Sequence, residues 1–209
     1  MPTLTAVPAL IPLSLFEAIR NLDTPVEDGL DELAEEIVVR RLGLSPTVAA
    51  QIQRYRQAAE REGSVDLDEA VSVLRLVGRR PDAPLVFADA GRRAARHAAR
   101  SRGRPAHTLA RITPTGLGRR IALRNAAQVA RRVFAAELRA DGQASEVRMS
   151  EPLSIAALPD GTACAFYGAA YSELLRSLTD FEGAMIHERC RARGDSDCVW
   201  QSTPVEMYE

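Results

Sequence analysis

The spacing of apolar residues changes once along this chain, and that change limits the folds open to it. Up to about Ala140 the apolar residues recur every three to four positions, the period of an amphipathic helix. After Asp141-Gly142 the period becomes two, as in residues 146–149 and 153–156, which is typical of strands. Helices followed by strands, with one more helix between them, favour an α+β fold with a mainly antiparallel sheet.

Helix start and stop signals divide the chain further. The first 80 residues predict a helical N-terminal module, 1–80, and Arg79 to Pro84 resembles a linker to a second domain, 85–209. Helices are expected at about 14–22, 24–43, 45–62, 66–78, 85–101, just after Pro105, from Thr113 to Ala140, and at 163–178. Strands are expected at 146–149, 153–156, 183–190 and 198–202.

Composition excludes several classes of protein. Of the 209 residues, 46% are hydrophobic, which is enough for one good core. No apolar run approaches the roughly 20 residues that span a bilayer, and the N-terminus lacks the basic region of a secretory signal. A cytoplasmic location without membrane contact is therefore expected. All 27 basic residues are arginine, which excludes Schiff-base chemistry and a P-loop lysine.

The net charge is only −1, but the charges are separated along the chain. Residues 15–70 hold thirteen acids and six arginines, whereas residues 91–140 hold thirteen arginines and one acid, Glu137. Two segments of opposite charge attract each other, which favours a contact between the acidic helices and the arginine-rich helices, in the same chain or across a homodimer. The arginine-rich stretch has one aromatic residue, Phe134, and no groove-reading motif, which argues against nucleic-acid binding.

Three cysteines near the C-terminus carry the clearest chemistry. Cys190 ends one predicted strand and Cys198 begins the next, so a hairpin brings both sulfurs to one end of the sheet, while Cys164 lies in the first turn of a helix. His187 precedes Cys190 by three residues, which places the two on opposite faces of a strand unless a bulge intervenes; Glu188 shares the face of Cys190. Thiolates with one imidazole suit tetrahedral zinc, although free cysteines also serve as small core residues.

The segment from Cys164 to Trp200, with CRARGDSDCVW near its end, resembles the C-terminal half of the 4-vinyl reductase domain family. That family is named for a bacteriochlorophyll biosynthesis protein and includes the aromatic-effector sensor domains of phenol- and toluene-responsive bacterial activators. The stretch from Ala88 to Phe134 is similar to the helical half of its bacteriochlorophyll-type members. The resemblance thus covers about residues 85–202 and does not extend to the first 80 residues.

This resemblance implies a zinc site and a fold. In the sensor members a cysteine, a Glu-x-x-Cys pair and a further cysteine eight residues later hold zinc, and these positions fall on Cys164, His187, Cys190 and Cys198. Histidine replaces the usual glutamate, which leaves His187, Glu188 or water as the fourth ligand. The implied fold is the ligand-binding domain shared with nitric-oxide sensors and Golgi-transport subunits, a twisted antiparallel sheet with packed helices.

In that fold a ligand pocket lies between the helices and the sheet. The residues expected to bind the ligand are Phe134, Tyr167, Tyr171, Trp200 and His107, with Phe87 and His97 as further candidates for the lining. The alternative for each aromatic residue is an ordinary core position, and for His97 a surface or boundary position.

The predicted function is that of a zinc-stabilised domain which binds a small hydrophobic or aromatic ligand, such as a tetrapyrrole, as a carrier, sensor or assembly factor. One alternative is a reductase, or its accessory subunit, acting on a vinyl tetrapyrrole in bacteriochlorophyll biosynthesis; another is a sensor that regulates transcription. No residue is assigned as catalytic. Gly116-Leu117-Gly118 opens a helix and does not follow a strand, so no dinucleotide site is predicted and binding is favoured over catalysis.

Overall fold

The computed structural model describes residues 5–23, 46–112, 115–141, 144–179 and 181–204, and within them the chain forms seven α-helices and six strands. The helices are α1 (Leu10–Asp23), α2 (Pro46–Glu60), α3 (Leu67–Gly78), α4 (Ala83–Ile112), α5 (Thr115–Phe134), α6 (Leu153–Ala157) and α7 (Cys164–Leu178). The strands are β1 (Ala6–Pro8), β2 (Ser64–Asp66), β3 (Glu137–Asp141), β4 (Ala144–Met149), β5 (Gly183–Arg189) and β6 (Cys198–Pro204).

Four of these strands form one antiparallel sheet in the order β3-β4-β6-β5. Trp200 of β6 lies between Val147 of β4 and His187 of β5. Side chains alternate between the two faces of the sheet along each strand. One face is buried, and it carries Val147, Met149, Met185, Cys198 and Trp200. The predicted α+β class and antiparallel sheet are confirmed. β1 and β2 pair separately as a two-stranded antiparallel ribbon.

Helix α7 packs against the sheet and, on its other side, crosses α4 closely. A Cβ atom at Gly91 of α4 would overlap the carbonyl oxygen of Phe166 and lie 3.1 Å from the backbone nitrogen of Ala170. Small buried residues surround this point on α4, including Ala90, Ala94 and Ala95. The two helix backbones can approach this closely because glycine has no side chain.

The N-terminal helices pack against the beginning of α4. Val77 of α3 and Val86 of α4 are both fully buried, and both belong to one continuous cluster of core residues that extends to Trp200. Arg80 donates hydrogen bonds of 3.0 and 2.7 Å to the carboxylate of Asp23 at the end of α1. A domain boundary near residue 80 stays a prediction, and the core is shared across it.

The first helices agree with the sequence pattern in most places. The predicted helices at 45–62 and 66–78 are confirmed, and the Asp66 side chain caps α3 by accepting from the Asp68 N–H group. Helix α1 begins earlier than expected, at Leu10, and the predicted helix at 24–43 lies outside the described residues. No helix in the described segments is both long enough and apolar enough to cross a membrane.

Three predicted elements are wrong. Helix α4 runs unbroken through Pro105, although a proline removes one helical hydrogen bond, so the helices predicted at 85–101 and after Pro105 are one helix. Helix α5 ends at Phe134 and not near Ala140, since Ala135 adopts a φ of 52° that turns the chain into β3. Residues 153–157 form helix α6 in place of a strand, and its first turn is closed by the Ile155 N–H donating to the Pro152 carbonyl.

Candidate metal centre

A β-bulge decides which side chains of β5 face the interior. His187 pairs with Trp200, and Arg189 pairs with Val199, so Glu188 is an extra residue with no partner in β6. This irregularity resets the two-residue alternation and places His187 and Cys190 on the same side of the strand. The sequence required such a bulge for the histidine to join the cysteines, and the structure contains it.

Four side chains from three parts of the chain converge here. One ligand-type atom from each of Cys164, His187, Cys190 and Cys198 lies within 4.8 Å of the others. Cys164 comes from the first turn of α7, His187 from β5, and the remaining two from the ends of the β5–β6 connection. The Sγ atoms of Cys190 and Cys198 are 3.9 Å apart, and all three cysteines are free and buried. The predicted set of four residues is therefore brought together.

Glu188 does not join this cluster. Its side chain is exposed, and its backbone carbonyl accepts a hydrogen bond of 2.7 Å from the guanidinium of Arg193. Of the two alternatives that the sequence left open for the fourth protein ligand, the geometry thus favours His187. The bulge explains the difference, because it turns Glu188 towards solvent while it turns His187 inwards.

The connection between β5 and β6 is shaped by backbone hydrogen bonds around the cysteines. The Cys190 N–H donates to the Asp195 carboxylate at 2.7 Å, and the Cys190 carbonyl accepts from the Arg193 N–H at 2.8 Å. The Arg191 N–H points at the Cys198 Sγ atom, 3.4 Å away. Gly194 completes the turn with a φ of 92°, a conformation that favours glycine. These contacts orient the two thiols before any ion is considered.

Two further residues border the cluster that sequence reasoning did not assign to it. The Ser154 hydroxyl lies 3.2 Å from the Cys164 Sγ atom, and a Cβ atom at Gly161 would lie 3.3 Å from the Cys190 Sγ atom. Gly161 has a φ of 82°, so the predicted Asp160-Gly161 turn is confirmed, and it packs directly over the thiols. The Asp-Gly signal indicated the turn, but no pattern in the sequence indicated that Ser154 or Gly161 approaches a cysteine.

Burial sets the protonation of these groups. It raises the pKa of the Cys164 thiol and that of the Cys198 thiol above the usual value of 9.0. Burial, followed by the nearby charge of Arg193, lowers the pKa of His187 below 6.5, so its imidazole is neutral at neutral pH. Without a cation the thiols of Cys164 and Cys198 would therefore be protonated beside a neutral imidazole. A cation that replaces the thiol protons would instead favour the deprotonated thiolates.

One buried nitrogen tests whether a metal ion fits. The Nε2 atom of the His187 ring is buried and has no hydrogen-bond partner in the described part of the chain. A buried polar atom without a partner is costly, and a metal ion would satisfy it. Two thiolates bound to tetrahedral zinc at about 2.3 Å lie about 3.8 Å apart, close to the 3.9 Å between Cys190 and Cys198. The residues present fit a metal ion.

The residues predicted to bind a ligand form an aromatic cluster beside the metal centre. Phe134 contacts Tyr167 and Tyr171 edge to face, with ring centroids 6.5 and 5.9 Å apart, and Trp200 contacts both tyrosines. The His187 ring stacks on Trp200 at 4.4 Å. Each of the four aromatic residues is at most 2% exposed, so their rings fill the space between them. A ligand-binding role for them stays a prediction.

The remaining candidates lie elsewhere. The His107 side chain is outside the described part, and Phe87 is fully buried in the core. His97 is half-buried and lines a separate cleft of about 100 Å³, together with Leu10 of α1 and Arg132 of α5. That volume is well below the roughly 300 Å³ at which pockets for drug-sized ligands begin.

Comparisons of the chain with protein-family models, with curated proteins and with solved structures find no match.

Proposed function

We propose that this protein is a zinc-stabilised binding domain of the 4-vinyl reductase type, in which Cys164, His187, Cys190 and Cys198 hold one zinc ion. The observation that carries the proposal is the convergence of three buried thiols and an unpartnered imidazole nitrogen within 4.8 Å. Soft sulfur donors with one imidazole suit zinc better than calcium or magnesium, which prefer oxygen. Zinc, when bound, supplies charge that keeps the thiols deprotonated.

A structural role for the ion is favoured over a catalytic one. The four protein ligands complete a tetrahedral set, whereas catalytic zinc sites leave one position for water or substrate. The three cysteines are each at most 4% exposed, which limits the access of a substrate. In this arrangement Cys190 and Cys198 fasten the β5–β6 connection to the first turn of α7 through Cys164.

The binding function rests on the resemblance and on the position of the aromatic cluster. Phe134, Tyr167, Tyr171 and Trp200 lie between α5, α7 and the sheet, where ligand-binding domains of this type have their pocket. Because the rings fill this space, a flat aromatic molecule such as a tetrapyrrole must displace at least one of them. The Tyr171 hydroxyl, which donates to the Met149 sulfur at 2.8 Å, would gain a better acceptor from a polar ligand.

Metal analysis of the purified protein tests the zinc site. We expect close to one zinc per chain, with loss of zinc in Cys190→Ser and in His187→Ala. Glu188→Ala is the matched control, because it changes the neighbouring residue and removes the rival ligand, and it should retain the metal. Cobalt in place of zinc should give thiolate charge-transfer absorption in the wild type. Wild-type protein without zinc, and with a stability that a strong chelator leaves unchanged, would refute the site.

Fluorescence of Trp200, the one tryptophan of the chain, tests ligand binding. We expect saturable quenching by either a porphyrin or a simple phenol, weakened in Phe134→Ala and Tyr171→Ala variants that remain folded. Phe16→Ala is the control, since Phe16 stacks on Tyr55 in a different part of the core. Absence of quenching by both classes of molecule would contradict the binding function and leave the zinc site standing.

A further inference from the structure

The Ser154 hydroxyl is bonded differently from the hydroxyls of other serines in helices. Four of these donate to a carbonyl oxygen three or four residues earlier in their own helix, and they are Ser14, Ser72, Ser101 and Ser172. Such a bond is the usual one for a serine inside a helix. Ser154 instead has its Oγ atom 3.2 Å from the Cys164 Sγ atom, its one hydrogen-bond partner among the described residues. Ser154 is 0% exposed, so solvent offers this hydroxyl no replacement.

A series of backbone hydrogen bonds holds Ser154 beside Cys164, although the two are ten residues apart. The Leu158 N–H donates to the Ser154 carbonyl at 2.8 Å, and the Gly161 N–H donates to the Leu158 carbonyl at 3.1 Å. The Cys164 N–H then donates to the Gly161 carbonyl at 2.9 Å. Because each bond closes one turn, the segment folds into a compact unit whose two end side chains meet.

Helix α6, which carries Ser154, is also held by the helical N-terminal part. The Arg75 guanidinium of α3 donates to the Ala157 carbonyl at 3.2 Å. A Cβ atom at Gly78 would lie 2.5 Å from the Leu158 side chain, so the end of α3 lies close against the residue that follows α6. The hydroxyl is therefore presented by a fixed backbone, as a group that orients a metal ligand must be.

Metal binding sets the direction of this hydrogen bond. Before a metal ion binds, either the Ser154 hydroxyl or the Cys164 thiol can be the donor. Once the ion displaces the thiol proton, the sulfur can only accept and the hydroxyl must donate. A hydrogen bond to a charged acceptor is roughly twice as strong as one between neutral groups. The contact is therefore stronger in the metal-bound protein, which is the property of a residue that raises metal affinity.

Of the three thiols, that of Cys164 takes its hydrogen bond from a side chain. The Cys198 Sγ atom lies 3.4 Å from the Arg191 nitrogen and accepts from this backbone N–H group, which a change of side chain leaves in place. Cys164 is also the cysteine that lies outside the β5–β6 connection, at the first turn of α7. The orientation of its sulfur thus decides whether the helix and the connection share one ion.

We infer that Ser154 is a positioning residue of the metal centre, whose hydroxyl donates to the Cys164 sulfur and orients it towards the ion. The inference rests on the proposed zinc site and adds a residue outside its four ligands. Without the hydroxyl, the buried thiolate loses a donor while all four ligands remain. Residues that orient metal ligands typically contribute about 10- to 100-fold to metal affinity. The lower end is expected here, because Ser154 contacts one ligand of four.

The test is the zinc affinity of the full chain, measured by competition with a chromophoric chelator. Ser154→Ala should bind one zinc per chain about tenfold more weakly than the wild type. Ser14→Ala is the matched control, since Ser14 is also buried and its hydroxyl bonds to the Ile11 carbonyl within α1. Its zinc affinity should stay within about twofold of the wild type. Urea unfolding with the strong chelator present measures any general loss of stability in both variants.

Cobalt in place of zinc gives a readout that a purely structural role would not change. A hydrogen bond lowers the energy of the sulfur lone pair, so its loss in Ser154→Ala should shift the thiolate-to-cobalt charge-transfer absorption to longer wavelength. Ser14→Ala should leave this absorption unchanged. Ser154→Thr is the second variant, because it keeps a hydroxyl, and it should restore both the affinity and the absorption of the wild type.

Three outcomes overturn this inference and leave the zinc site standing. The first is a zinc affinity of Ser154→Ala within about twofold of the wild type. The second is an equal loss of affinity in Ser154→Ala and Ser14→Ala with an unshifted cobalt absorption. The third is a folded Ser154→Thr that binds zinc as weakly as Ser154→Ala. A wild type that takes up neither zinc nor cobalt would refute the zinc site and this inference together.

Discussion

Helix α7 is held at two places by two different kinds of interaction. Along its length it lies against α4, where the missing side chain of Gly91 lets the two backbones meet. At its first turn Cys164 joins the thiols of the β5–β6 connection, where order depends on four ligand atoms and the proposed ion. The first contact is apolar and spread over several turns, whereas the second is concentrated at one point. Packing should therefore set the global stability, and the metal should set the local order of the connection.

The largest effect is expected at the helix crossing. Gly91→Ala should lower the free energy of unfolding by about 3 kcal/mol or more, because its Cβ would overlap the Phe166 backbone and force the helices apart. Gly168→Ala on α7 is the control, since the nearest atom to its Cβ would be the Trp200 Nε1 at 3.4 Å. That variant should change stability by less than about 1 kcal/mol. If urea unfolding shows that Gly91→Ala and Gly168→Ala lower the free energy of unfolding equally, the close approach at Gly91 is not what sets stability.

Removal of the metal should loosen the connection and spare the crossing. With a strong chelator, the amides of residues 190–198 and of the first turn of α7 should exchange hydrogen at least about tenfold faster, because local opening no longer requires ligand loss. Amides near Gly91 should keep their protection. Hydrogen exchange followed by mass spectrometry measures both regions in one experiment. If exchange becomes faster to the same extent throughout α4 and α7, the helix crossing and the metal centre form one cooperative unit.

The helical part also contains a pH-sensitive group that is independent of the metal. Burial, followed by the hydrogen bond to Glu69, raises the pKa of Tyr55 from 10.0 to about 12. The unfolded chain thus ionises first, so this stabilisation is present below pH 10 and is lost as the pH rises towards about 12. The Tyr55→Phe variant should therefore lose less stability than the wild type as the pH rises above 10, with or without chelator. Burial also raises the pKa of Tyr167 and that of Tyr171, which contribute to the rest of the alkaline loss of stability.

At neutral pH the same substitution removes the 2.9 Å hydrogen bond from the Tyr55 hydroxyl to Glu69 and should cost about 1 kcal/mol. Urea unfolding at a series of pH values gives both the cost at neutral pH and the loss of stability at alkaline pH. An alkaline slope identical in the wild type and in Tyr55→Phe would show that this hydroxyl does not titrate with unfolding.

The smallest effect is expected where α5 passes into β3. Ala135 is exposed and has a φ of 52°, which costs an alanine about 1 kcal/mol relative to glycine. Ala135→Gly should raise stability by about 0.5 kcal/mol, because greater freedom in the unfolded chain offsets part of the gain. Thermal unfolding with and without chelator should show the same small increase. A decrease would indicate that the alanine methyl group makes a contact worth more than the strain.

The sequence by itself determined the α+β class, the pairing of the last two strands and the three cysteines of the cluster, because apolar period and residue spacing are local properties. It misjudged 135–140 and 153–157, where a single positive φ and a short proline-capped helix override the apolar pattern. The bulge at Glu188 was required by the histidine hypothesis, but its presence depends on pairing with β6.

Only the tertiary structure decided that His187 and not Glu188 faces the thiols, and that Ser154 and Gly161 border them. It also showed that the aromatic residues pack on one another. These relations join residues that are distant in the sequence. Their geometry depends on how helices and strands pack, and the spacing within one segment carries no information about it.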